Sequence, residues 1–178
     1  MIEGHLFIAT SVDGFIARED DGLDWLEVAG SEEDHGFAAF MARMDGLVIG
    51  ARTYRMVLGF GGDWPYAKPV VVMSRSGVEV PEALEGRVRV MAGTPREVMA
   101  TLDAEGWERA YVDGGQLIQA FLRDGLIKEM VITQVPVLLG SGVRLFGETG
   151  GDVALEAVRA ERFPSGLVQT RWRVPFVN

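Results

Sequence analysis

Five short runs of apolar residues, at 6–9, 47–49, 69–73, 88–91 and 109–113, constrain this chain more than any other feature. Several are unbroken, Val70-Val71-Val72-Met73 most clearly. Such runs suit strands buried on both faces, the environment of a parallel sheet covered by helices. A strand with one wet face would alternate polar and apolar residues instead.

Helical patterns lie between the runs. Residues 34–44 place Phe37, Phe40, Met41 and Met44 at i, i+3, i+4 and i+7, one face of a helix. Residues 53–58 read as a short helix. Thr94 suits an N-cap, with Pro95 at the first helical position and Glu97 completing a capping box for a helix to about residue 104. Residues 115–123 form another, ended by Asp124-Gly125. The rhythm then changes: residues 129–135 read as a strand, and 153–163 with 167–175 as a long hairpin around Pro164-Ser165-Gly166. Trp172 and Phe176 give that hairpin much apolar surface for a sheet edge. The expected fold is α/β: a mixed, mostly parallel sheet flanked by helices, with antiparallel C-terminal strands, in one domain spanning 1–178.

Composition narrows the functions. With 17 basic and 26 acidic residues the formal charge is −9, which opposes sequence-independent binding to nucleic acid or anionic membrane. There is no cysteine, hence no disulfide, thiolate metal site or cysteine nucleophile, and two histidines (His5 and His35) do not make a His-rich metal site. No apolar stretch approaches the ~20 residues of a membrane span, and the N-terminus lacks a basic segment ahead of an apolar one. A cytoplasmic protein without a metal is expected.

In open α/β sheets ligands sit at the carboxyl ends of the strands, and three anion-friendly junctions fall there. Gly50-Ala51-Arg52-Thr53 leads straight into a helix, Ser74-Arg75-Ser76-Gly77 offers hydroxyl and guanidinium donors, and Asp113-Gly114-Gly115-Gln116-Leu117 lets backbone approach a phosphate closely. Each alone equally fits an ordinary turn; together they point to a nucleotide-like ligand. Trp64, in the glycine-rich stretch 59–66, either covers a ligand or packs beneath that loop.

With these residues the chain resembles the dihydrofolate-reductase-like superfamily, and within it the reductase (C-terminal) domain of the riboflavin-biosynthesis deaminase/reductase. The resemblance runs in order through Ile8 to Ala17, which carries an S-x-D-G-x-I-A turn, and through Leu47 to Tyr54, similar to a strand with a G-R-x-T-Y loop. It continues through Val71 to Arg75, Tyr111 to Leu122, and Ile132 to Phe146, which holds a P-x-L-L-G-x-G segment at Pro136 to Gly142. It implies an NADP(H)-dependent reductase of a small heterocyclic or carbonyl substrate, working as a homodimer. It implies nicotinamide contacts from Ala9 and Ile16, and phosphate contacts from Gly50, Arg52, Thr53, Ser74, Arg75, Gly114, Gly115, Gln116 and Leu117. The family's usual Arg after the loop glycine is Ala51 here, so the guanidinium that meets the 2′-phosphate is Arg52 or Arg75.

On the substrate side the resemblance implies Asp34 as the catalytic carboxylate and Asp13, Trp25 and Thr133 as substrate contacts. Asp34 also suits, with Glu32 and Glu33, the first turn of a helix. Arg18 is a candidate for a substrate phosphate, against which the acidic stretch 19–24 argues. The zinc deaminase half of the bifunctional enzyme needs His and Cys ligands and is absent from a chain without cysteine. The alternatives are a pterin or folate reductase and a non-catalytic nucleotide-binding module.

Overall fold

The structure is a computed structural model that describes residues 1–29 and 33–175. The five apolar runs become five adjacent strands of one eight-stranded sheet, with 88–91 at its edge. Its strands are β1 (Glu3–Ser11), β3 (Gly46–Gly50), β4 (Val70–Met73), β5 (Val88–Met91), β6 (Arg109–Asp113), β7 (Ile127–Val135), β9 (Glu156–Arg162) and β10 (Val168–Arg173). Their order across the sheet is β5-β4-β3-β6-β1-β7-β10-β9. All pairs from β5 to β7 are parallel, and β10 closes on β7 and β9 antiparallel. The expected sheet is therefore the one found.

The central strands are as dry as their composition demands: Leu47, Val48 and Ile49 are fully buried, as are Val71 and Val72. Alternate side chains feed two cores. One face packs Leu6, Val48 and Val71 against α3 (Pro95–Ala104) and α4 (Gly115–Arg123) through Val98, Leu102, Ile118 and Phe121. The other packs Leu47, Ile49 and Val72 against α1 (Phe37–Ala42) and α2 (Ala51–Gly59) through Phe40 and Tyr54. Trp64 belongs to this second core, its ring 5.9 Å from that of Tyr54 and 5.2 Å from that of Tyr66. The expected Thr94–Glu97 capping box is present in full at the start of α3.

Boundaries differ where the backbone conformation decides them. The helix expected over 34–44 shrinks to α1, because His35 (φ 50°) and Gly36 (φ 89°) are left-handed and no right-handed helix can begin before Phe37. Helix α2 starts at Ala51, directly after β3. Two very short strands, β2 (Phe15–Ala17) and β8 (Val143–Arg144), pair antiparallel beside the main sheet. A 3-10 helix, Asp24–Ala29, follows β2. These pieces are too short to display a periodicity. Glu32 and Phe176 lie outside the described residues. Among the described residues no helix is long and apolar enough to cross a membrane.

Candidate active site

The carboxyl ends of β1 and β6, adjacent in the sheet, open into a cleft of about 230 Å³. Ala9 of β1, Ile16 and Ala17 of β2, Arg52, Thr53 and Met56 of α2, and Asp113, Gly114 and Gly115 at the β6–α4 junction line it. Six residues picked out in the sequence thus share one cavity: Ala9, Ile16, Arg52, Thr53, Gly114 and Gly115.

Its phosphate-like corner is built by two turns that face each other. Gly114 has φ 109°, a conformation side chains rarely adopt. A Cβ there would lie 2.7 Å from the Thr53 Oγ1 and 3.7 Å from the Gly50 backbone nitrogen. The α2 and α4 N-termini, each opening a nine-residue helix, are brought together by this approach. Their unpaired N–H groups favour an anion, by about 0.3–1 kcal/mol for each helix end. These N–H groups and the Thr53 hydroxyl could hold an anionic group such as a phosphate, and Ala9 and Ile16 add apolar lining. Gln116 is exposed in the first turn of α4, and Leu117 packs toward the core below.

Ser74 and Arg75 stand at the end of β4, two strands from β6 and outside the cleft lining. The Ser74 hydroxyl donates to the Gly77 carbonyl at 3.1 Å and fixes the turn. Arg52 is engaged by an acid: its Nη2 lies 2.7 Å from Asp21 Oδ1 and its Nε donates to Asp21 Oδ2 at 3.0 Å.

The substrate-side expectations separate. Asp34 lines a different, wider groove of about 820 Å³ between α1 and the C-terminal strands, together with His35, Arg43, Gln169 and Arg171. Its carboxylate accepts the Gly36 and Ala38 N–H groups, both at 2.9 Å, and these bonds hold its pKa below the usual range. Thr133 is buried and its Oγ1 accepts from Gln169 Nε2 at 3.0 Å. Asp13 ties the turn after β1 to the 139–140 backbone by accepting from Leu139 and Gly140 at 3.1 and 2.8 Å. The Ser11 hydroxyl and these N–H groups bring the Asp13 pKa down to about 2. Trp25 is buried with Val135 and Leu167, while its neighbours Leu23 and Leu26 line the cleft.

Several residues of the cleft were given no role from the sequence, Asp113 among them. Asp113, the last residue of β6, has its Oδ1 accepting the Gly114 N–H at 2.8 Å beside the Tyr111 hydroxyl. Burial pushes its pKa up to about 6, against partial relief from the Gly114 N–H and the adjacent Tyr111 hydroxyl. The sequence showed an Asp before the glycine pair; the desolvation that tunes it comes from packing.

The sequence profile of the RibD C-terminal domain matches residues 4–169. The chain belongs to that family. A protein of Bacillus subtilis (strain 168) of uncharacterized function, YwjB, is 32% identical over 161 residues, 89% of this chain and 90% of that protein. A candidate riboflavin biosynthesis protein from Shewanella sp. PV-4 superposes with a TM-score of 0.93 at 44% identity, covering 98% of this chain and all of the other. The Thermotoga maritima diaminohydroxyphosphoribosylaminopyrimidine deaminase/5-amino-6-(5-phosphoribosylamino)uracil reductase shares the fold, with a TM-score of 0.75 at 15% identity. This RibD-type domain spans 57% of that bifunctional chain.

Proposed function

We propose that this RibD-type domain is an NADPH-dependent reductase that delivers hydride to a small, flat heterocycle of the pyrimidine or pterin kind, or to a carbonyl compound. The observation that carries the reading is the union, in one cleft, of the Gly114–Thr53 phosphate cradle and a carboxyl whose pKa is about 6. Family membership and the reductase named in the Thermotoga relative support the reaction class.

NADPH, when bound, supplies the hydride. Gly50, Thr53, Gly114 and Gly115 would hold its pyrophosphate, and Ser74 with Arg75 the 2′-phosphate. Ala9 and Ile16 form the apolar surface beside the nicotinamide. Reduction of a C=O or C=N bond forms a C–H bond at carbon and sends the π pair to the heteroatom, which then needs a proton. Asp113, which lines the same cleft, would give it: at neutral pH a carboxyl near 6 keeps a protonated fraction, whereas an ordinary aspartic acid keeps almost none. Its carboxylate is reprotonated from solvent between turnovers. Leu23 and Leu26 add apolar surface to the cleft lining.

The test is NADPH oxidation, followed by absorbance, with pyrimidine, pterin and quinone acceptors offered in turn. Acceptor-dependent loss of absorbance is expected. Tight NADPH binding with no consumption across all three classes would show a binding module instead.

A further inference from the structure

The charge at the cleft mouth bears on what the acceptor can carry, and this rests on the reductase reading above. The substrate in the name of the Thermotoga relative is a phosphoribosyl compound. A phosphate monoester brings about −1.5 to −2 charge at pH 7 and is held by arginine forks, lysine or helix N-termini.

Here the cations of the cleft and of the loop beside it are already taken. Arg52 is the one cation among the described residues lining the cleft, and Asp21 holds it through two contacts. Arg18, in the same loop, is held the same way by Asp24, with Nε–Oδ1 at 2.7 Å and Nη2–Oδ2 at 2.8 Å. Both helix N-termini at the cleft point into the Gly50–Gly114 cradle assigned to the cofactor. Asp21 and Asp113 add carboxylates to the lining.

The acids are placed by the loop backbone. Asp20 Oδ1 accepts the Gly22 N–H at 3.0 Å, and Arg18 N donates to the Gly22 carbonyl at 3.0 Å. Asp21 N donates to the Arg18 carbonyl at 3.1 Å, and Asp21 itself sits at φ 69°. Exposed pairs of this kind add only about 0.2–1 kcal/mol to stability. Their consequence is the local charge balance and the loss of available donors.

We propose that the acceptor of this domain carries no phosphate: it is a neutral or cationic heterocycle, and Asp21 and Asp24 exclude its phosphorylated counterpart by occupying Arg52 and Arg18. The test is titration calorimetry of the whole chain, saturated with NADP+, using 5-amino-6-ribosylaminouracil and its 5-phosphate. In the wild type the unphosphorylated compound should bind at least about tenfold tighter, a difference of about 1.4 kcal/mol. In an Asp21→Asn, Asp24→Asn double variant the phosphorylated compound should gain about tenfold while the other stays within about twofold. Asn tolerates the left-handed backbone at position 21, so the loop keeps its shape.

Equal or tighter binding of the phosphorylated compound to the wild type would overturn the proposal, as would a double variant with unchanged affinity for it. If NADP+ binds and neither pyrimidine does, the heterocyclic acceptor falls and this inference with it. If NADP+ itself fails to bind, the cofactor reading falls alone, and the ratio between the two pyrimidines still decides the phosphate question.

Discussion

Gly114 and Thr53 approach so closely that a methyl group on the glycine would come within 2.7 Å of the threonine hydroxyl. Gly114→Ala therefore meets two obstacles, a backbone at φ 109° and a filled cradle. The NADPH dissociation constant should rise by at least about tenfold, read by calorimetry. Gly125→Ala is the control. Gly125 also has a positive φ, 67°, but a Cβ there meets open space at the far end of α4. It should lower the melting temperature and leave NADPH affinity alone.

Asp113 makes the pH dependence specific. Its folded pKa, about 6, lies above the ordinary 3.8. The folded state thus prefers the protonated form, whose stabilising advantage is complete below 3.8 and lost as pH rises through about 6. Asp113→Asn cannot ionise and should gain stability relative to the wild type above that pH, by on the order of 3 kcal/mol at most. Turnover should behave in the opposite way. Wild-type kcat should fall as pH rises through about 6, whereas the Asn variant should be slow and flat. A variant that keeps the wild-type profile would remove Asp113 from proton transfer.

The two carboxylates, Asp34 and Asp113, show what was legible beforehand. The sheet could be read because the runs at 47–49 and 70–73 have to be dry on both sides, and burial of whole strands is a property of composition. The shared cleft could be anticipated only because glycine-bearing junctions at two strand ends, 50–53 and 113–117, fall on the same edge of the sheet; either one alone fits an ordinary turn. The surroundings of the two carboxyls could not be anticipated. Asp34 lies near a helix start, but the left-handed residues His35 and Gly36 turn the chain so that its oxygens cap backbone and face another groove. The character of Asp113 depends on burial and on Tyr111, whose ring stands over Phe40 and whose hydroxyl donates to the Phe7 carbonyl. The acid partners of Arg18 and Arg52 come from a loop with no regular element to announce its shape.

Arg75 is exposed at the end of β4, beyond the cleft lining. If it and Ser74 hold the 2′-phosphate, Arg75→Ala should weaken NADPH by about tenfold and NADH hardly at all, since a bidentate guanidinium–phosphate contact contributes roughly 1.5–3 kcal/mol. Parallel calorimetric titrations with the two cofactors read the difference. Equal loss for both would place the 2′-phosphate elsewhere.

Glu129 of β7 is buried between two guanidiniums, with Arg171 Nη2 at 2.6 Å and Arg43 Nη2 at 3.3 Å. Burial pushes its pKa up, but the two arginines outweigh burial and hold it below the usual 4.5. Glu129→Gln keeps the shape and removes the charge, leaving Arg43 and Arg171 without their common partner. Because both guanidiniums are partly exposed, the loss should be about 2 kcal/mol, below the 3–5 of a fully buried pair. A depressed carboxyl pKa stabilises the fold above the unfolded value and ceases to do so as pH falls through the folded one. The gap between wild type and variant in urea unfolding should therefore be widest above pH 4.5 and close as pH drops further. Glu129 lies outside the cleft lining, so NADPH affinity should be unchanged in the same preparations. A gap that persists at low pH would mean that packing, and not charge, accounts for the loss.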